Sequence, residues 1–192
     1  MRVGNVTIET ETSAGPLANG KTIALVGLMG AGKSSVGRRL ADTLKLPFHD
    51  SDDEIEKAAG LSVSDIFSLH GEEEFRRVEQ RVIERLITGK QQVLATGGGA
   101  FMNDQTRALL KEHAVTIWLS ADLETLWRRV SRRDGRPLLK TENPKDRLRN
   151  LLETRKATYA TADIVVESRD GPHMNAVRDI ISALKEKFPS ND

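Results

Sequence analysis

Residues Gly27-Leu28-Met29-Gly30-Ala31-Gly32-Lys33-Ser34 fit the pattern G-x-x-x-x-G-K-[ST], and their flanks narrow sharply what this chain can fold into. Ahead of them runs the short apolar segment Thr22-Ile23-Ala24-Leu25-Val26, which reads as a strand ending at the first glycine. Behind them Val36, Leu40 and Leu44 recur at helical spacing. A strand, a glycine loop and a helix in that order make a cradle for phosphate. The glycines let the backbone wrap an anion closely, and the amides converge at a helix N-terminus, where the partial positive charge favours it. In that setting Lys33 is expected to reach β- and γ-phosphates, and the Ser34 hydroxyl to ligate Mg²⁺.

The rest of the chain repeats the alternation. Strands are expected at Ile23–Val26, Pro47–His49, Gln92–Ala95, Val115–Leu119 and Ile164–Glu167. Helices are expected at Lys33–Leu44, Asp52–Ala59, Val63–Leu69, Glu72–Ile87, Asp104–Glu112, Leu123–Arg132, Lys145–Ala160 and Met174–Phe188, with Asp122 as an N-cap and Asn143-Pro144 as a turn. Such alternation predicts an α/β fold with a parallel sheet, whose ligands sit beyond the carboxyl ends of the strands. The 192 residues suffice for one domain, read as 21–189 behind a flexible tail at 1–20. A net charge of +1 offers no basic field for nucleic acid and no polybasic membrane patch. No apolar run approaches the roughly twenty residues of a membrane span, and residues 1–20 lack a signal-peptide core. The absence of cysteine excludes disulfides and thiolate metal sites and fits a reducing compartment.

Four further groups of residues carry chemistry. Asp50-Ser51-Asp52-Asp53 follows the second strand, on the sheet edge that holds the phosphate loop. Asp50 and Asp52 alternate in an extended segment and could divide metal binding from proton acceptance; alternatively Asp52 or Asp53 simply caps the next helix. On the helix over 72–87, Glu79 can orient Arg76 at i, i+3, a pair that taken alone reads as solvated. Gly97-Gly98-Gly99 closes the third strand, which leaves amides bare for a ligand or merely makes the loop flexible. That strand lacks a terminal aspartate, so the acid must come from Asp50 or Asp52. Arg155 lies on the stripe Leu148, Leu152, Arg155, Tyr159, where a guanidinium needs an anionic partner, either an internal carboxylate or one on a substrate. Finally, Arg128, Arg129, Arg132, Arg133 and Arg136 surround Asp134-Gly135, as in a lid that closes on phosphates or in a solvated charge run.

From Thr22 to about Leu184 the chain resembles the shikimate kinase family, a small branch of the nucleoside-monophosphate-kinase-like group. The resemblance rests on the glycine loop, Asp50-Ser51-Asp52, Gly71-Glu72 with Glu74-Phe75-Arg76-Arg77-Val78-Glu79, Gly97-Gly98-Gly99-Ala100, Arg136-Pro137-Leu138-Leu139, and Arg155 with Tyr159. It implies a three-layer αβα fold around a five-stranded parallel sheet of order 2-3-1-4-5, with substrate-binding helices at about 51–80 and a lid at about 131–144. It further implies ATP- and Mg²⁺-dependent phosphorylation of the shikimate 3-hydroxyl, on the route to aromatic amino acids, by a cytoplasmic monomer. Under that resemblance Asp52 contacts shikimate and serves as base, Arg76 and Arg155 clamp its carboxylate, and the Gly98 amide faces it. Gly30, Ala31, Gly32, Lys33, Ser34 and Ser35 hold the nucleotide, Arg129 packs on adenine, and Lys33 and Arg136 hold transferring charge. Ser34 binds Mg²⁺ directly, with Asp50 assisting. The adenine-side loop near Ser168-Arg169-Asp170-Gly171-Pro172 offers no residue by alignment. The rivals are a related kinase of gluconate or nucleoside monophosphates, and a nucleotide-binding regulatory module without catalysis.

Overall fold

The computed structural model describes residues 17–132, 137–139 and 141–189. Five strands form one parallel sheet in the order β2-β3-β1-β4-β5, as expected: β1 (Thr22–Val26), β2 (Phe48–Asp50), β3 (Val93–Ala95), β4 (Ala114–Ser120) and β5 (Ile164–Glu167). Every residue of β1 is buried, which explains its unbroken apolar reading: a central parallel strand has both faces covered. β5, at the edge, alternates instead, with Ile164 and Val166 inward and Val165 and Glu167 outward.

Seven α-helices among the described residues flank the sheet: α1 (Lys33–Leu44), α2 (Ser51–Ala59), α3 (Val63–Ile87), α4 (Asp104–His113), α5 (Leu123–Val130), α6 (Pro144–Tyr159) and α7 (His173–Lys187). α1 packs beside α7, α3 beside α4, and α5 beside α6. α3 is two helices joined at Gly71, whose φ of 80° and ψ of 174° no helix tolerates, so the two expected segments are both present. Asp122 caps α5 by accepting from the Thr125 amide at 2.9 Å.

The second strand sits one residue later than expected, and that shift changes a functional reading. Asp50 is the last residue of β2 and caps α2, its carboxylate accepting from the Asp52 amide at 3.0 Å. Asp52 therefore lies in the first turn of a helix and does not alternate with Asp50 along an extended segment. The cap falls to Asp50, not to Asp52 or Asp53. Residues 17–20, assigned above to the tail, form a 3-10 turn with Ala18 fully buried, and the Gln91 side chain donates to the Leu17 carbonyl at 2.6 Å. No described helix is long and apolar enough to cross a membrane.

Candidate active site

The phosphate loop leaves β1 at Gly27 and enters α1 at Lys33. Its last glycine, Gly32, is the N-cap at φ 95° and supplies no side-chain cap, so the first amides of α1 stay available to an anion. The Ala31 amide is committed within the loop, donating to the Leu28 carbonyl at 3.1 Å. Lys33 is 8% exposed and donates to the Gly27 and Leu28 carbonyls at 2.7 and 3.1 Å, back across its own loop. Gly30, Gly32, Lys33, Ser34 and Ser35 line a cavity of about 320 Å³ that also takes in Asp50, Asp52, Thr96, Arg129 and His173. In it the Ser34 hydroxyl donates to Asp50 at 2.6 Å. A hydroxyl and a carboxylate side by side suit Mg²⁺, a hard cation that takes few protein oxygens and completes its shell with phosphate and water.

The arginine-rich segment divides. Arg129 donates to the Gly30 carbonyl at 3.2 Å, to the Ser168 hydroxyl at 3.0 Å and to the Arg169 carbonyl at 2.8 Å, and Arg128 pairs with Asp170. These two residues belong to α5 and tie the phosphate loop to the segment after β5. Arg132 lines the phosphate cavity, whereas Arg133 and Arg136 lie outside the described residues. Pro137–Leu139 forms a 3-10 turn that brings Leu138 to a second cavity.

That second cavity, about 210 Å³, is lined by Asp52, Val63, Phe67, Phe75, Arg76, Glu79 and the glycine triplet, among others. Arg76 is already paired, to Glu79 at 2.7 Å and to Glu72 at 3.1 Å, and its guanidinium lies 5.2 Å from the Phe75 ring centre. The Glu79 side chain is only 2% exposed, so the pair is a buried fixture and not the solvated contact that spacing alone suggests. Burial pushes the Glu79 carboxyl above its ordinary value, against the pull of Arg76, while neighbouring Asp52 raises it further. For Arg76, burial works downward, but Glu79 and Glu72 together outweigh it and hold the guanidinium's affinity for its proton above the usual value.

The glycine triplet makes room for protein as much as for ligand. A Cβ at Gly97 would meet Glu79 Oε1 at 2.3 Å, and one at Gly99 would meet the Arg76 guanidinium at 2.4 Å. The triplet is also tied down, since the Gly97 amide donates to the fully buried Ser51 hydroxyl at 2.8 Å. Ser51 escaped the sequence reading, although it stands between the two aspartates that drew attention. Arg155 donates Nη1 to the Gly98 carbonyl at 3.0 Å, and Tyr159 donates its hydroxyl to the same oxygen. Arg155 thus bonds a carbonyl, while an internal carboxylate of the kind considered above, Glu79, feels its charge without forming an ion pair among the described contacts.

The two cavities meet. Met29, Asp52 and Gly98 line both of them. A phosphate bound on the loop and a small molecule held near Arg76 would therefore face each other across Asp52. The chain is also similar to known proteins. A family model described as shikimate kinase matches residues 29–185. Shikimate kinase of Caulobacter vibrioides strain NA1000 / CB15N is 57% identical over 166 residues, covering 86% of this chain and 83% of that one. The corresponding enzyme of Rhizobium meliloti strain 1021 is 48% identical, covering 86% of each chain. The solved structure of shikimate kinase from Acinetobacter baumannii in complex with shikimate matches with a TM-score of 0.86 at 38% identity, over 88% of this chain and 96% of that one.

Proposed function

The chain belongs to the shikimate kinase family, and on that premise we propose that it transfers the terminal phosphoryl group of ATP to the 3-hydroxyl of shikimate, giving 3-phosphoshikimate and ADP. The observation that carries the residue-level reading is the junction of a phosphate cavity and an acceptor cavity at Asp52. Phosphoryl transfer asks mainly for in-line positioning and charge neutralisation. Arg76, held by Glu79, meets the acceptor's carboxylate from one side and Arg155 from the other. That grip turns one hydroxyl toward the phosphate loop. Asp52, fixed in the first turn of α2, accepts its proton. Lys33 exchanges its loop carbonyls for phosphate oxygens, and Arg136 adds a second positive charge. Ser34 and Asp50 would hold Mg²⁺, which when bound neutralises phosphate charge. Arg129 holds the nucleotide's adenine side, and the Gly98 amide meets the acceptor. The segment 131–144 closes over both ligands and keeps water from competing. The same reading has the enzyme work as a monomer in the cytoplasm, without nucleic acid or membrane.

A coupled ADP-release assay offered shikimate, gluconate and AMP separately tests the substrate. Turnover of shikimate alone is expected. Turnover of gluconate or AMP without shikimate would overturn the assignment, and tight ATP binding with no acceptor turned over would make the chain a regulatory module.

A further inference from the structure

Tyr159 is 1% exposed at the C-terminal end of α6, its ring 6.4 Å from that of Phe101 and 5.8 Å from that of Trp118, stacked on both. So large a buried ring would serve the core equally well as phenylalanine, yet it carries a hydroxyl, and that hydroxyl donates to the Gly98 carbonyl. Burial pushes the phenol up to about 12, with Arg155, through its charge and a hydrogen bond to the hydroxyl, pulling the other way, so the phenol remains a donor to Gly98 throughout the working range. The same oxygen takes Arg155 Nη1 at 3.0 Å. Both lone pairs of this carbonyl are therefore in use. Gly98 is also one of the three residues at which the two cavities join, and a Cβ there would meet the Met29 amide nitrogen at 3.1 Å, so its backbone lies against the phosphate loop.

We infer that Tyr159 is a positioning residue, whose hydroxyl holds the Gly98–Gly99 peptide at the junction of the cavities and keeps that carbonyl bonded when Arg155 turns to the acceptor's carboxylate. The inference rests on the function proposed above, in which Arg155 meets a carboxylate. A carboxylate offers the guanidinium an opposite full charge and two oxygens to bond at once, which a single neutral carbonyl does not, so an anionic acceptor draws the guanidinium away from Gly98. If Arg155 were the sole donor, that exchange would strip the carbonyl and free a glycine peptide that has no side chain to restrain it. With Tyr159 as second donor, the arginine changes partner and the wall stays in place.

Tyr159→Phe keeps the ring stack and removes only the donor. Its KM for shikimate is expected to rise about five- to tenfold, the loss of one hydrogen bond to a partly buried group, while its KM for ATP and its melting temperature stay close to wild type. An analogue bearing a hydroxymethyl group in place of the carboxylate gives Arg155 no cause to leave Gly98, and its KM should be the same in both proteins. An unchanged shikimate KM overturns the inference, as does an equal rise for shikimate and the analogue, or a parallel rise for ATP. The double variant Tyr159→Phe with Arg155→Lys guards against a general loss of packing. Non-additive effects on shikimate KM that vanish with the hydroxymethyl analogue support coupling through the shared carbonyl, whereas effects that simply multiply, or a non-additivity that persists with the analogue, refute it. Failure of the wild-type protein to turn over shikimate in the same assay would sink the proposed reaction together with this inference, whereas failure of the variants alone sinks only the role of Tyr159.

Discussion

Asp52 and Glu79 bring two carboxyl groups to one small cavity, yet their settings give them different work. Asp52 lines both cavities, so under the proposed reaction Asp52→Asn should lower kcat by at least about a hundredfold with little change in ATP affinity, as expected for a lost base. Steady-state kinetics beside an ATP titration check this, and near-normal kcat would remove Asp52 from that role. Glu79 is sealed against Arg76 and leaves a direct signature in stability. Folding raises its proton affinity above the ordinary 4.5, so this contribution is complete below pH 4.5 and is lost as pH rises through the folded value. A Glu79→Gln variant cannot titrate there. The melting temperature of the wild type minus that of the variant should therefore grow as pH falls from neutral toward 4.5. A difference that stays flat across that interval would show that Glu79 is not its source.

Gly71 governs how the acceptor cavity is shaped at the scale of the element. Its backbone divides α3, and a Cβ there would meet nothing within 4 Å, so crowding is not what excludes a side chain. The obstacle is conformational. Gly71→Ala should cost about 1–3 kcal/mol, read as a lower denaturant midpoint at unchanged slope. If the chain relieves that strain by straightening the helix, Val63 and Phe67 leave the cavity and shikimate KM rises. A midpoint equal to wild type would argue that another conformation is accessible at no cost. This break was legible in advance because glycine interrupts two helical patterns whose apolar stripes are separately clear. The sheet order was legible through the family resemblance, and the strands through their apolar runs. Less visible was the division of labour at Asp50 and Asp52. A one-residue shift at the end of β2 puts the first on a cap and the second on a helix, and propensity does not resolve boundaries that finely. Periodicity likewise placed Arg155 on the inner stripe of α6 but could not name its partner. That partner is a backbone oxygen from a loop 57 residues away, and backbone groups leave no trace in the identity of a residue. The glycine triplet was noticed for the same reason as Gly71. Its neighbours Glu79 and Arg76, which leave no room for a side chain at Gly97 or Gly99, come from a different element.

For the molecule as a whole, ligands of the two cavities are expected to contribute separately to stability. Mg-ATP at a hundred times its Kd should add about 2.7 kcal/mol, which in a domain of this size raises the melting temperature by about 5–10 °C. Lys33→Ala should abolish that shift and leave the one caused by shikimate. Chelating the metal should shrink the ATP shift alone, if Ser34 and Asp50 hold the ion. A shikimate shift that vanishes in Lys33→Ala would mean that the two sites are not separable.

The shared wall also says where the enzyme can be retuned. Val63, Phe67, Phe75 and Leu138 line the acceptor side only, whereas Met29, Asp52 and Gly98 belong to both sides. A designer wanting a different polyol would start from the three apolar positions of these that the core buries only in part, Val63, Phe67 and Leu138, with changes matched to the side chains they pack on. Any edit to the common three would disturb nucleotide and acceptor in one stroke, so new selectivity has to be written on the outer rim of the chamber.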